Sequence, residues 1–133
     1  MRYLFVLLFF FVSACKSSSN SYPEASSALD AGREFIDATL KGDFAKAFFY
    51  MQDDSVNKKY LDQLETDYRT KDRDGREQFR QASINIGKII EITENETIIN
   101  YSNSYDKILH QLKVVHQNNR WVVDLKYTFT PNS

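Results

Sequence analysis

The feature that most constrains this chain is a change of hydrophobic period between Arg80 and Ile84. Upstream the apolar residues recur at helical spacing; downstream they alternate one by one. A chain built this way has helices for one layer and strands for the other, and strands joined by short turns pair antiparallel. The expectation is an α+β domain with N-terminal helices packed on a curved four-stranded antiparallel meander.

The strands read as follows. Ile84, Ile86, Ile90 and Ile92 share one parity, broken by Lys88, and Glu94-Asn95-Glu96 makes a turn. Ile99, Tyr101 and Tyr105 form a second inward set before a turn at Ser104 to Lys107. Ile108, His110, Leu112, Val114 and His116 follow at even positions. Asn118-Asn119 suits a two-residue primed turn, because asparagine tolerates positive φ. Trp121, Val123, Leu125, Tyr127 and Phe129 then alternate with Val122, Asp124, Lys126 and Thr128, the strongest strand pattern in the chain. A turn at 118–119 sets His116 opposite Trp121, Val114 opposite Val123, Leu112 opposite Leu125 and His110 opposite Tyr127.

Upstream, Leu29, Ile36 and Leu40 lie beside Gly32, Phe35 and Thr39 on one helical face, with Asp30, Arg33, Glu34, Asp37 and Lys41 opposite. Ser27 is placed to cap this helix, with Asp30 as a short-armed capping-box partner, and Gly42 to end it. Asp43 then caps a shorter helix carrying Phe44, Ala47, Phe48 and Met51; a single helix kinked at Gly42 is the alternative. Asp54 or Ser55 caps a third, with Val56, Tyr60, Leu61, Leu64 and Tyr68 on one face. The charge-dense run from Arg69 to Arg80 reads as a solvated helix, or one broken near Gly75.

The N-terminus has a different plan: Arg2, an unbroken apolar run from Tyr3 to Val12, then small residues before Cys15. Val12-Ser13-Ala14-Cys15 resembles the lipobox of bacterial lipoproteins. The resemblance implies a signal peptide over residues 1–14, removed on maturation, and a Cys15 carrying a diacylglycerol and an N-linked acyl chain that anchor the protein to a membrane. Residues 15–22 then form the lipidated cysteine and a flexible tether, and 23–133 the domain. A lysine and serines after Cys15, without an acidic cluster, imply the periplasm-facing side of the outer membrane in a bacterial cell envelope. Cys15 is the only cysteine, so no disulfide framework supports the fold.

The succession of a helix, Gly42-Asp43-Phe44, a short helix, a third helix and a meander ending in Asn119-Arg120-Trp121-Val122-Val123 resembles the nuclear-transport-factor-2-like superfamily. That superfamily has a cone fold shared with ketosteroid isomerases. The resemblance spans Pro23 to Phe129 and implies a pocket between the curved sheet and one helix face, used for catalysis in some members and for binding in others.

The chemistry in the sequence is sparse. The 17 Lys and Arg nearly balance 18 Asp and Glu with no basic block, which argues against a nucleic-acid partner. No phosphate loop, zinc-ligand pair or nucleophile elbow occurs, so neither a metal nor another cofactor is expected. His110 is the one titratable group placed mid-strand among apolar neighbours on the inward face. The candidate pocket is Phe35, Tyr101, His110, Leu112, Leu125 and Tyr127, with no catalytic residue assigned. The expected function is binding of a small apolar ligand or a protein partner. One alternative is a pocket enzyme of isomerase or hydrolase type, with His110 as general base and the Tyr127 hydroxyl orienting it. Another is an interaction module using the outer sheet face. For His110 itself, the simplest role is a core histidine bonded to Tyr127 or to backbone.

Overall fold

The structure, a computed structural model, describes residues 22–130. The signal residues, Cys15 and the tether up to Ser21 lie outside the described residues. In chain order the elements are α1 (Ala28–Lys41), α2 (Phe44–Phe49), α3 (Ser55–Thr70), α4 (Arg73–Arg80), β1 (Ile84–Thr93), β2 (Glu96–Asn103), β3 (His110–Gln117), β4 (Arg120–Asp124) and α5 (Leu125–Phe129). The strands form one antiparallel sheet in the order β1-β2-β3-β4. The domain is thus α+β, with four helices preceding the sheet and a fifth following it.

Local chemistry sets the helix ends. Ser27 Oγ accepts from the Asp30 N–H at 3.1 Å, and the Asp30 carboxylate reaches back to the Ser26 N–H at 2.9 Å. Asp43 and Asp54 cap α2 and α3 by accepting from the Lys46 and Asn57 N–H groups. Gly42 separates α1 from α2 at φ +74°, where it donates to the carbonyls of Ala38 and Thr39. The charged run is broken at Lys71 and Asp72, where Asp72 caps α4 by accepting from Gly75. Gly75 therefore lies inside α4 instead of interrupting it.

The core forms where α1 lies across the inner face of the sheet. Phe35, Ile36, Ala38 and Leu40 pack there with Ala47, Tyr50 and Met51, against Ile99, Leu112, Val114, Val123 and Leu125. Gly32 allows the close approach: a Cβ at this position would stand 2.7 Å from Ile99 Cδ1. The free edge of β4 is covered by the segment after α2, with Val123 N–H donating to Tyr50 O and Gln52 N–H to Val123 O.

Three strand expectations are corrected. The hairpin itself forms as read, with Asn118 and Asn119 both at positive φ and His116 opposite Trp121, Val114 opposite Val123. Beyond Asp124, however, the chain turns into α5, so Leu125 does not pair with Leu112 nor Tyr127 with His110. In β1 the pairing shifts between Ile86 and Ile89, which puts Ile89 opposite Ile99 and turns Ile90 to the outer face opposite Ile98. The bulge moves the second half of β1 out of the parity that began it. Tyr105, placed in the inward set, lies past the end of β2 in the β2–β3 turn and is 39 % exposed.

Candidate functional site

A cavity of about 420 Å³ opens between α1, α3, α5 and the inner sheet face. Phe35, Tyr101, His110, Leu112 and Leu125 all line it, so five of the six pocket residues read from sequence are brought together. Tyr127 is not among them. The turn into α5 places it in a shallow depression beside Leu109, His110 and Gln111, while Thr128 and Phe129 face the cavity in its stead.

Most of the wall is apolar. Phe35, Ile36 and Leu40 come from α1, Leu64 from α3, Leu112 from β3 and Leu125 from α5. Phe129 stacks on Tyr60 with ring centroids 4.4 Å apart and planes within 1°, which fixes α5 against α3 at the side of the cavity. Thr128 Oγ1 donates to Gln111 O and ties the same helix to β3. Phe79 and Tyr105 meet edge to face at 5.1 Å, and the Lys71 ammonium stands over both rings.

The polar groups gather at one place. His110 Nε2 lies 3.0 Å from Asp106 Oδ2. The turn before β3 positions Asp106: Asn103 Oδ1 accepts from the Tyr105 and Asp106 N–H groups, each at 3.0 Å, and Asp106 Oδ1 accepts from the Ile108 N–H at 2.9 Å. Burial opposes the charge on Asp106. The Ile108 N–H, the His110 imidazole and the Asn103 side chain outweigh it and hold the carboxyl below its usual range. An ionised carboxylate only accepts, so the proton between the pair sits on Nε2, and in the neutral imidazole Nδ1 is the acceptor.

Tyr101 completes the cluster. Its ring stacks on that of His110 at 5.1 Å and 26°. The cavity gives it accessible surface while keeping it far from bulk water, and this burial, with Asp106 nearby, pushes its phenol well above the usual range. No described residue bonds to its hydroxyl. The site therefore offers an apolar chamber with one donor-acceptor corner of Tyr101, His110 and Asp106.

Asp106 is the group that reading the sequence missed. It lies in the Ser104 to Lys107 turn, outside the alternating strand pattern, but four residues and a left-handed Lys107 (φ 58°) fold it back onto His110. The available signal was Asn103 three residues before Asp106, a spacing that favours side-chain-to-backbone turns.

Among the described residues no group of three or more His, Cys, Asp or Glu is placed to hold a metal ion, and no helix is long and apolar enough to cross a membrane. No family model, curated protein or solved structure matches this chain.

Proposed function

We propose that this protein is a bacterial lipoprotein, anchored through Cys15 at the periplasmic side of the outer membrane, whose domain is a cone-fold module that binds a small, largely apolar ligand. The observation that carries the reading is the cavity itself. At about 420 Å³, it falls within the range of roughly 300–1,000 Å³ usual for small-molecule sites, and it combines an apolar wall with a single polar corner. A packed interior would have favoured the outer sheet face as the working surface. The ligand's polar atom would bond to the Tyr101 hydroxyl or to His110 Nδ1, and its body would lie against Phe35, Leu112 and Leu125.

Thermal-shift screening of the full chain against a small-molecule library tests this. His110→Ala should weaken binding of the hits by about 1–3 kcal/mol, the scale for leaving a buried partner unsatisfied. Hits indifferent to both His110→Ala and Tyr101→Phe would remove the pocket assignment. The anchor is tested separately by mass spectrometry of membrane-extracted protein, where an intact, unlipidated Cys15 would overturn it.

The Asp106–His110 contact favours a second reading, a pocket enzyme in which Asp106 orients His110 as general base. Under that reading Asp106→Asn abolishes turnover while ligand binding persists. A non-catalytic pocket would have no turnover to lose.

A further inference from the structure

A second concavity lies on the other side of Tyr68, and nothing in the binding reading uses it. It has a volume of about 320 Å³ and is lined by Gly42, Phe44, Tyr68 and three arginines, Arg69, Arg76 and Arg80. Tyr68 belongs to the walls of both cavities. We propose that Arg69, Arg76 and Arg80 form a binding site for a phosphate group, carried by a soluble phosphate ester or by a phospholipid headgroup.

Each guanidinium is partly committed to a neighbouring group. Arg80 Nε donates to the Tyr68 hydroxyl at 2.7 Å, and Arg76 Nη1 donates to the Lys71 carbonyl at 2.7 Å. Arg69 is fixed by Glu65 through Nε at 3.1 Å. A guanidinium carries five N–H donors in a rigid fork, so edges committed in this way leave others to bond a ligand with little further loss of freedom. Tyr68 adds to the set, since a hydroxyl that accepts from Arg80 keeps its own proton to donate.

The charge balance points the same way. Glu65 pairs with Arg69, and Glu77 pairs with Arg80 at 3.4 Å, but Arg76 has no carboxylate partner among the described residues. Arg76 and Arg80 are also four apart on α4, the spacing at which like charges repel along a helix. Capping the end of α3 accounts for one nitrogen of Arg76 and for neither of the other two arginines. Convergent, partly committed guanidiniums suit the tetrahedral oxygens of phosphate better than a single carboxylate, because several forks can engage different oxygens at once. The N-terminus of α4 plays no part, as the Asp72 carboxylate takes its Gly75 N–H.

The test follows the guanidinium Nε–Hε NMR signals of the full chain in zwitterionic detergent during titration with inorganic phosphate, against chloride at matched ionic strength. The signals of Arg69, Arg76 and Arg80 should shift and saturate, while those of Arg33, Arg73 and Arg120 stay in place. Arg69→Gln and Arg80→Gln should each lower phosphate affinity about tenfold, the loss of one charge-assisted hydrogen bond. A parallel titration with phosphatidylglycerol in the detergent separates the sources. If lipid shifts the three signals and blocks added phosphate, a headgroup is the ligand; if phosphate alone shifts them, a soluble ester is. Either result supports the site. Signals that move with neither probe, or that move equally at Arg33 and Arg73, would overturn it without reliance on any variant.

Discussion

Leu125 donates its backbone N–H to Asn57 Oδ1 at 2.7 Å, joining residues 68 apart in the chain. The Asn57 amide nitrogen in turn donates to Asp54 Oδ2 and Asp124 Oδ1, so one fully buried side chain satisfies the start of α3, the end of β4 and the first turn of α5. This bond explains why the alternating pattern of the last strand stops at Asp124. A strand continuing through Leu125 would leave Asn57 buried without its acceptor role, whereas the turn into α5 brings the Leu125 N–H to the Asn57 oxygen.

Asn57→Ala should therefore be among the more damaging single substitutions in the domain. It leaves the Leu125 N–H and the Asp124 carboxylate short of a partner, and should cost about 2 to 4 kcal/mol. Urea denaturation monitored by circular dichroism measures the loss. A change below a few tenths of a kcal/mol would mean that α5 is held by its apolar contacts alone.

Acid should weaken the fold through two carboxylates. Burial opposes the charge of Asp54, but two bonds from Asn57 and the Lys126 ammonium more than offset it, so its folded pKa lies below the ordinary 3.8, as does that of Asp106. A lowered folded value means that the stabilisation is full above the unfolded pKa and is lost as pH falls through the folded one. Urea midpoints should thus drop below about pH 3.8 and be flat with respect to these groups at neutral pH. In Asp54→Asn, which keeps a helix cap but no charge, the acid-side slope should shrink.

Gly42→Ala tests the junction of α1 and α2. The residue sits at φ +74°, and a Cβ there would stand 2.5 Å from the Tyr68 ring, so backbone strain and displacement of a core-facing aromatic add together. The expected cost is about 2 to 4 kcal/mol. An unchanged melting temperature would show that Tyr68 yields freely.

Trp121→Ala should cost about 2 kcal/mol, below the roughly 3–5 of a fully enclosed ring. Trp121 pairs with His116 in the register read from the sequence, with ring centroids 4.6 Å apart, but it is only partly buried against the edge of the core. A loss matching full burial, read from thermal melts, would mean that the open side beside Leu29 and Ile89 is closed in solution.

What the sequence determined by itself is whatever a few neighbouring residues decide. Ser27, Asp43 and Asp54 cap helices because a short polar side chain satisfies its own nearby N–H groups, and Asn118-Asn119 turns because asparagine accepts positive φ. The inward parity of Tyr101, His110 and Leu112, three of the five cavity residues read correctly, follows from the period of two along β2 and β3, and Phe35 follows from the apolar face of α1. Tertiary structure decided the rest, because the competing local states were close in energy. Leu125 to Phe129 alternates like a strand, but Asn57, far away in sequence, tips it into a helix and carries Tyr127 out of the cavity. The shift of pairing between Ile86 and Ile89 depends on how β1 meets β2, which the sequence of β1 does not contain. Asp106 meets His110 only once Asn103 has folded the turn between them, so the polar corner of the site is a product of the fold, while its apolar wall was already written in the pattern.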